Sequence, residues 1–504
     1  MSGPGAFGRL IGAAWMLVRN DALLPHELDP LYSSGTRTLG KVLRIFAGSR
    51  ARLGRPGERL ARSLERLGPV AIKLGQLLST RADLFGRQFA EDLSRLKDRL
   101  EPFPIEVARA EVEYQLGRPI ESLFKVFGEP VAAASLAQAH EAVLFDGRHV
   151  AVKVLRPAIA RRVADDSEVL ALAARLIDRW VPPARRLEPR GFASTVIRAT
   201  ELELDLRLEA AGADELCEVM AKDGYMRAPP VIWEGVGKRV LTMEWARGMP
   251  LSEDQALLQE GLDRKQLADN LIRAFLAQAL DHGVFHADLH EGNLFVAAPA
   301  EITAVDFGII GRLGAPERRY LARILWGFLQ RDYDQVARVH FDAGYVPANH
   351  DVAAFAQALR AVGEPVFGRA ASEVPMSRVL TQLFEITALF DMRLRPELVL
   401  LQKTMMTVEG VARRIDPDHD IWAASDPVVR RWMARELSPV TRIQRLAGEA
   451  ELAIRNLARL AENPPMPTAS VTVVEERHEG SRWFWFTLGV VVSAAAFAAG
   501  AYFL

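Results

Sequence analysis

The sequence predicts an α+β fold with two lobes, a helical N-terminal extension and a C-terminal transmembrane helix. Three observations lead to this prediction. Short β-like runs fall within residues 129–245, helical periodicity dominates before and after them, and an apolar segment without charge occupies residues 483–504. A chain of 504 residues is long enough to hold several domains and to bury a substantial core.

The β-like runs predict a small, partly β lobe. Asp146-Gly147 lies between two of them and is typical of a hairpin turn. Residues 231–233 and 239–243 predict two further strands, and the proline-rich residues 463–467 end the last helix before a polar linker. The predicted organisation is an N-terminal helical segment (1–60), a helical extension (61–128), the small lobe (129–245), a larger helical lobe (246–460), a linker (461–482) and an anchor (483–504).

Charge and cysteine content narrow the class of protein. The net charge of −1 gives no electrostatic reason to expect nucleic acid as a partner, and no basic stripe with interleaved aromatic residues occurs. Cys217 is the single cysteine, so a disulfide within the chain is impossible and a reducing compartment is expected.

The apolar C-terminal segment predicts a location. Residues 483–504 are long enough to cross a hydrocarbon core of about 30 Å, and Trp483, Trp485, Tyr502 and Phe503 lie at its two ends, where aromatic rings prefer the membrane interface. We therefore expect a single-pass anchor in a bacterial-type inner membrane, with the catalytic part in the cytoplasm. A buried core helix is the alternative, and it is disfavoured because no later element could cover it.

Two polar motifs in the predicted large lobe indicate phosphoryl transfer. His286–Phe295 contains Asp288 and Asn293, and Asp306 begins an Asp-Phe-Gly sequence. Phosphoryl transfer needs a carboxylate near the attacking oxygen and hard oxygen ligands for Mg²⁺, and the catalytic loop and metal loop of protein kinases supply them in this order. We assign catalysis to Asp288 and metal binding to Asn293 and Asp306.

Two simpler interpretations of these motifs are disfavoured. Asp288 and Asn293 could merely cap helices, but a cap does not require the second motif at Asp306. His286 and His290 could suggest zinc, but zinc needs three or four ligands, and the best remaining candidates belong to the magnesium arrangement. We expect His286 to pack beneath the catalytic loop as a hydrogen-bonding support.

A lysine and an acidic run complete the predicted catalytic set. Residues 150–153 read as a strand that ends in Lys153, the lysine that steadies the nucleotide phosphates. Glu203, Asp205 and Glu209 fall on one predicted helix. At about 100° per residue the two glutamates lie roughly 120° apart around the helix axis, so they cannot easily share one partner. One glutamate should pair with Lys153 and the other with a different cation. Which glutamate does so stays open at this point.

The second cation has a candidate in the predicted extension. Pro69 suits a helix start, and Lys73 and Gln76 then share one face of an otherwise apolar helix. A polar stripe there needs buried partners, because its desolvation would otherwise cost several kcal/mol. We expect this helix to lie against the mouth of the site, with Lys73 meeting Glu203 and Asp205.

The loop expected to cover the phosphates is built from alanine. Where protein kinases carry glycines, this chain has Ala132–Ser135, which keeps the loop small but removes the freedom of positive φ. A more restricted phosphate geometry is expected, with a hydroxyl contact from Ser135. The residues assigned to nucleotide binding are Ala132, Ala133, Ala134, Ser135, Lys153, Glu244, Trp245 and Ala246.

Together these motifs resemble the UbiB (AarF) family of atypical protein-kinase-like proteins, over roughly residues 60–420. The resemblance implies a bilobal protein-kinase-like fold and an ATP-dependent, membrane-associated protein that supports ubiquinone biosynthesis. It implies ATP or ADP and Mg²⁺ as cofactors, and ATPase rather than protein-kinase behaviour, with the Lys73 helix over the peptide site. It also implies membrane lipid, quinone precursors and ubiquinone-biosynthesis enzymes as partners, and a homodimer as an option.

The chain departs from the family pattern at Gly212, where asparagine is frequent, which questions the contacts of that helix. Two other functions stay open. A small-molecule kinase of the aminoglycoside or choline type shares the His286–Asp288 loop, but the anchor and the Lys73 helix oppose it. A nucleotide-switched scaffold for biosynthetic enzymes is the other, and the complete motif set opposes a dead kinase.

Overall fold

The computed structural model describes residues 4–27, 34–48, 54–79, 87–94, 96, 101–180, 188–367, 386, 389–392 and 396–436. These residues form two compact units. The first holds the described residues up to Ala211 together with residues 231–245, and the second holds residues 212–230 and the described residues from 246 onward.

The first unit contains one four-stranded sheet and several helices. Its strands are β1 (Phe124–Ala133), β2 (Ala137–Leu144), β3 (His149–Leu155) and β4 (Val240–Glu244), paired antiparallel in the order β1-β2-β3-β4. Its helices are α1 (Pro4–Arg19), α2 (Ser34–Leu43), α3 (Pro56–Leu67), α4 (Pro69–Ser79), α5 (Arg87–Ser94), α6 (Ile105–Leu116), α7 (Ile159–Trp180), α8 (Pro189–Leu202) and α9 (Leu206–Asp223). Helix α9 begins in the first unit, and its residues from Gly212 onward belong to the second.

The predicted hairpin at Asp146-Gly147 is present between β2 and β3. The Asp146 carboxylate accepts a hydrogen bond from the backbone nitrogen of Arg148 at 3.0 Å, and Gly147 adopts a φ of 86°. Side chains alternate along β3, as a strand with one buried face requires. Val150, Val152 and Val154 are fully buried in the core. Lys153 therefore projects from the opposite face of the sheet.

The prediction of a strand at residues 231–233 is wrong. Val231 forms one isolated bridge to Met243, and a short 3₁₀ helix (Trp233–Gly235) follows at once. Gly235 packs directly on Thr242, whose hydroxyl donates to the Gly235 carbonyl oxygen at 2.9 Å. The strand predicted over residues 239–243 is confirmed as β4.

A buried arginine fixes the N-terminal segments to α3. Arg59 is 1% exposed, and its guanidinium donates to both carboxylate oxygens of Glu27, at 2.6 and 2.7 Å. It also donates to the backbone oxygens of Asp21, at 3.2 Å, and Gly54, at 2.9 Å. Burial of an arginine is tolerated only when its donors are satisfied in this way.

The second unit is mainly helical. Its strands are β5 (Met249–Pro250), β6 (Val284–His286), β7 (Leu294–Ala297), β8 (Glu301–Ala304) and β9 (Ile310–Arg312), in a sheet of order β5-β7-β8 and a pair β6-β9. Its further helices are α10 (Arg264–Ala277), α11 (Ala315–Leu329), α12 (Tyr333–Asp342), α13 (Val352–Phe367), α14 (Pro396–Ile415) and α15 (Ile421–Glu436).

Two features of this unit position the site loops. Helix α10 is fully buried along one face, through residues such as Leu271 and Phe275. In the β6-β9 pair, Phe285 lies opposite Gly311, where any larger side chain would overlap the phenyl ring. The buried helix and this close pairing give the loops that follow β6 and precede β9 a rigid base.

The predicted C-terminal anchor requires correction. A transmembrane helix needs about 20 predominantly apolar residues. Across the part of the chain that the structure describes, no helix is both long and apolar enough to cross a membrane. Residues 483–504, on which the prediction rested, lie outside that part, as does the linker at 461–482. The fold class is retained without its transmembrane helix, and the inner-membrane location derived from it is withdrawn.

Candidate active site

Lys153 is held by a glutamate from the first turn of α9. Its ammonium nitrogen lies 2.7 Å from Oε1 and 3.0 Å from Oε2 of Glu209. The Glu209 side chain is 10% exposed and that of Lys153 is 28% exposed, so the pair is partly shielded from water. The pairing that the sequence left open is thereby resolved in favour of Glu209.

Lys73 and Glu203 form the second pair. The Lys73 ammonium, on α4, donates to Oε1 of Glu203, which immediately follows α8. The two side chains are 11% and 24% exposed. The contact expected between Lys73 and Glu203 is therefore present. Gly75, in the same turn of α4, leaves room for the side chains of Leu64 and Leu96.

Two details of the acidic run differ from the prediction. Glu203 and Glu209 do not share a helix, because α8 ends at Leu202, just before Glu203, and α9 starts at Leu206. The backbone nitrogen of Leu206 donates to the carbonyl oxygen of Lys238 at 2.9 Å. Asp205 does not join Lys73. It pairs with the neighbouring Arg207, and the hydrogen bonds from that guanidinium hold the pKa of Asp205 below its usual value.

The alanine loop comprises the end of β1, where Ala132 and Ala133 pair with β2, and the tight connection that follows it. The backbone nitrogen of Ala134 donates to the carbonyl oxygen of Ala137 at 2.8 Å, and Ser135 is 4% exposed. At the end of β4, the Glu244 carboxylate accepts from Arg148 at 3.1 Å, and the Trp245 nitrogen donates to the carbonyl oxygen of His149 at 2.9 Å. The other residues assigned to nucleotide binding divide between the units: Ala132 and Ala133 lie in the first, and Ala246 lies in the second.

His286, in the second unit, joins two loops through its imidazole ring. Nδ1 accepts a hydrogen bond from the backbone nitrogen of Asp288 at 3.1 Å, so Nε2 carries the proton and donates to the carbonyl oxygen of Val305 at 3.1 Å. The ring is fully buried and packs on Phe307, with centroids 5.2 Å apart. Burial lowers the pKa of His286, which favours this neutral tautomer.

Asn293 makes a second connection between the same loops. Its side-chain nitrogen donates to the carbonyl oxygen of Asp288 at 3.0 Å, and its own carbonyl oxygen accepts from the Val305 nitrogen at 2.9 Å. The Asn293 side chain is nearly buried, whereas the Asp288 side chain is 33% exposed and lies 3.7 Å from Nε2 of His290. Asp288 is thus anchored by its backbone and open at its carboxylate.

Asp306 adopts a left-handed backbone conformation, with a φ of 62°. Aspartate tolerates this region better than most residues, and such values are frequent at functional sites. The residue before it is Val305, which is bonded to both His286 and Asn293. The structure therefore brings the Asp288 and Asp306 loops together within the second unit.

Sequence reasoning missed two residues of α14 that contact the catalytic loop. Thr404 is 1% exposed, and its hydroxyl donates to the carbonyl oxygen of Ala287 at 3.1 Å. Arg414 pairs with Glu291 in the same loop. A buried polar residue on a helix needs a partner, so the sequence indicates that Thr404 makes a contact but does not say with which residue.

The presence of glycine at position 212 has a structural explanation. A Cβ atom placed on Gly212 would overlap Cδ1 of Ile310 in β9, so glycine allows close approach of α9 to that strand. One turn further along the helix, Glu215 forms a bidentate pair with Arg312 of the same strand. The departure from the family pattern is therefore matched by close packing at this position.

Two protein-family domains match the chain. Residues 95–340 match the ABC1 atypical kinase-like domain, and residues 359–420 match the UbiB helical domain. The "Probable protein kinase UbiB" of Pseudomonas entomophila (strain L48) is 38% identical over 519 residues, which covers 98% of this chain and 95% of the relative.

Two further relatives carry the same name. The protein from Marinobacter nauticus (strain ATCC 700491 / DSM 11845 / VT8) is 38% identical and covers 82% of this chain and 75% of its own. The protein from Pseudomonas aeruginosa (strain LESB58) is 39% identical and covers 87% of this chain and 83% of its own. With both domains matched and relatives of this identity spanning most of its length, the chain belongs to the UbiB family of atypical kinases.

Proposed function

We propose that this chain binds Mg-ATP and Mg-ADP and hydrolyses ATP or transfers its terminal phosphoryl group. The observation that carries the proposal is the pair of hydrogen bonds made by His286, which links the Asp288 backbone to Val305, next to Asp306. A neutral, buried imidazole in that position holds a catalytic carboxylate and a metal-binding carboxylate on one rigid base.

The donor set fits Mg²⁺. The side-chain nitrogen of Asn293 is used by the Asp288 carbonyl, which leaves Oδ1 as its acceptor atom, and Asp306 supplies a carboxylate. Hard oxygen atoms of this kind are the ligands that magnesium prefers. Bound by Asn293 and Asp306, the metal would neutralise negative charge on the phosphates.

The remaining roles fall to Lys153 and Asp288. Lys153, fixed by both oxygens of Glu209, would contact the α- and β-phosphates with a positive charge already held in place. The partly exposed carboxylate of Asp288 would orient water or a hydroxyl group and accept its proton. The alanine loop would contact the phosphates through its backbone.

We further propose that nucleotide turnover supports ubiquinone biosynthesis, with lipid-like quinone precursors or their enzymes as partners. The name UbiB carried by the relatives supports this role. A small-molecule kinase is not favoured, because the Lys73–Glu203 pair and the α14 contacts belong to features outside a minimal kinase core.

ATP hydrolysis by the purified full-length chain tests the chemistry. The wild type should release phosphate in a magnesium-dependent way. Asp306→Asn should abolish that activity, and Asp342→Asn, at an exposed aspartate on α12, should retain it. Equal activity in wild type and Asp306→Asn would overturn the assignment.

Quinone content tests the biological role. Cells lacking the gene should contain less ubiquinone, and the wild-type gene should restore it whereas Asp288→Asn should not. Normal ubiquinone in the deletion strain would remove the biosynthetic role. Full rescue by Asp288→Asn would show that the protein acts as a scaffold.

A further inference from the structure

We propose that Arg156 is the positioning residue of the alanine loop, and that it holds Ala132–Ser135 in one conformation before nucleotide binds. This inference rests on the proposed function, since it assigns the loop to the nucleotide phosphates. Arg156 lies just beyond β3, close in sequence to Lys153, and belongs to none of the motifs described above.

Arg156 contacts the loop through two separate groups. Its backbone nitrogen donates to the carbonyl oxygen of Leu136 at 2.8 Å, and its side-chain Nε donates to the carbonyl oxygen of Ala134 at 2.8 Å. Together with the bond from the Ala134 nitrogen to Ala137, these contacts fix the loop from both sides. A side chain therefore supplies the restraint that the loop sequence itself lacks.

The same guanidinium reaches a second segment. Nη2 of Arg156 donates to the carbonyl oxygen of Glu101 at 2.9 Å, and the guanidinium carbon lies 5.8 Å from the centre of the Phe103 ring. Arg156 thus connects the loop to the stretch of chain that precedes α6. Only a forked, planar side chain can make both carbonyl contacts at once.

That stretch is itself fixed to the sheet. The side chain of Gln138, which is 1% exposed, accepts from the Phe103 nitrogen at 2.8 Å and donates to the Phe103 carbonyl oxygen at 3.1 Å. Gln138 also bonds to His140, whose Nδ1 donates to the carbonyl oxygen of Gly128 at 2.9 Å. A buried network with its members satisfied is rigid, so Arg156 has a firm attachment point.

The carbonyl group of Arg156 is held as well. It accepts a hydrogen bond from Nη2 of Arg239 at 2.7 Å, and Arg239 in turn pairs with Glu111 of α6 at 3.4 Å. The backbone at Arg156 is therefore tied to the residue that precedes β4. The alanine loop and Lys153 are therefore both attached to the end of β3. The attachment includes backbone hydrogen bonds of Arg156, which do not depend on the rotamer of its side chain.

A preformed loop increases the affinity for ligands that contact it and leaves the affinity for other ligands unchanged. Ordering a loop on binding costs free energy, and a loop that is already ordered avoids this cost. Only ligands that carry phosphates contact the loop, so the advantage applies to Mg-ADP and Mg-ATP and not to adenosine. A residue that merely stabilises the fold would alter the binding of both kinds of ligand or of neither.

Calorimetric titration of the full-length protein with Mg-ADP and with adenosine separates these cases. Arg156→Lys keeps the charge but cannot make the Nε and Nη2 contacts together. It should weaken the binding of Mg-ADP about tenfold, as expected for one or two lost hydrogen bonds. Its affinity for adenosine should equal that of the wild type. Arg156→Ala should weaken Mg-ADP further.

Arg109→Ala is the matched control, because Arg109 lies on α6 in an exposed pair with Glu121. It should bind both ligands like the wild type. If the Arg156→Lys protein binds Mg-ADP like the wild type, or if its affinities for Mg-ADP and adenosine fall equally, the role of Arg156 is wrong while the proposed function stands. A wild-type protein that binds neither ligand would overturn this inference together with the proposed function.

Discussion

The ammonium group of Lys153 lies within hydrogen-bonding distance of both carboxylate oxygens of Glu209, at 2.7 and 3.0 Å. This pairing leaves Glu203 to Lys73, which it contacts from the end of α8. These contacts form two lysine–glutamate pairs, one between β3 and α9 and the other between α4 and the end of α8. Substitutions at each pair test it.

Glu209→Gln should raise the KM for ATP by about tenfold or more, with a smaller effect on kcat. Glutamine keeps the shape but removes the charge that fixes the Lys153 ammonium, and a charged hydrogen bond is worth about 1.5–3 kcal/mol. Steady-state phosphate release measures both constants. Glu218→Gln, at an exposed position of the same helix, is the control and should resemble the wild type. An unchanged KM in Glu209→Gln would show that the pair does not orient the lysine.

Lys73→Glu and Glu203→Lys should each destabilise the protein, and the double reversal should restore most of the loss. Residues in direct contact show coupling of about 0.5–3 kcal/mol, whereas distant residues are additive. Thermal or urea unfolding of the four proteins gives the coupling energy. The exposed pair of Arg109 and Glu121 is the comparison, with an expected coupling below about 1 kcal/mol. Strictly additive effects at Lys73 and Glu203 would contradict the contact.

Gly212→Ala should be stabilising only when Ile310 is shortened. Alanine is favoured over glycine inside a helix by about 1 kcal/mol, but a methyl group at Gly212 would overlap Cδ1 of Ile310. In an Ile310→Val background, which lacks that atom, the alanine should raise the thermal midpoint. With Ile310 intact the gain should disappear. An equal shift in both backgrounds would mean that Ile310 does not restrict the helix.

The stability of the protein should fall as the pH drops below about 6.5. Burial lowers the pKa of His140 in the folded state, so the unfolded chain binds the proton first and acid favours unfolding. One such histidine contributes a slope of up to about 1.4 kcal/mol per pH unit below the unfolded pKa. Urea midpoints at pH 7.5, 6.5 and 5.5 measure it.

Two variants test whether His140 causes this dependence of stability on pH. His140→Gln should flatten the dependence on pH, although it also lowers stability at pH 7.5 by disturbing the bonds to Gln138 and Gly128. His149→Gln, at an exposed position, should keep the wild-type slope. An identical slope in His140→Gln would assign the acid sensitivity to other groups.

The catalytic loops could be predicted from sequence because their chemistry fixes both residue type and order. Asp288, Asn293 and Asp306 are short polar residues whose spacing reflects two loops on one base, and the structure joins those loops through His286 and Val305. Family membership follows from the same local signals. The roles assigned to these residues in catalysis stay predictions.

The remaining features depend on tertiary contacts whose partners leave no local signal. The break between α8 and α9 contains no proline or glycine, and it occurs where the Leu206 nitrogen bonds to a carbonyl oxygen far along the chain. Arg156 and Thr404 act on backbone carbonyl groups, which every residue carries, so no sequence pattern names their partners. The apolar C-terminal segment is the opposite case, because its composition alone predicts a membrane location and none of the described helices is long and apolar enough to cross a membrane.

Calorimetric titration of the full-length protein with Mg-ADP is the most direct test of the account, because every proposed role requires the nucleotide. We predict saturable binding at one site per chain, competition by Mg-ATP, and loss of binding in Asp306→Asn or after removal of magnesium with a chelator. A wild-type protein that gives no heat with either nucleotide, and whose unfolding midpoint neither nucleotide shifts, would contradict it.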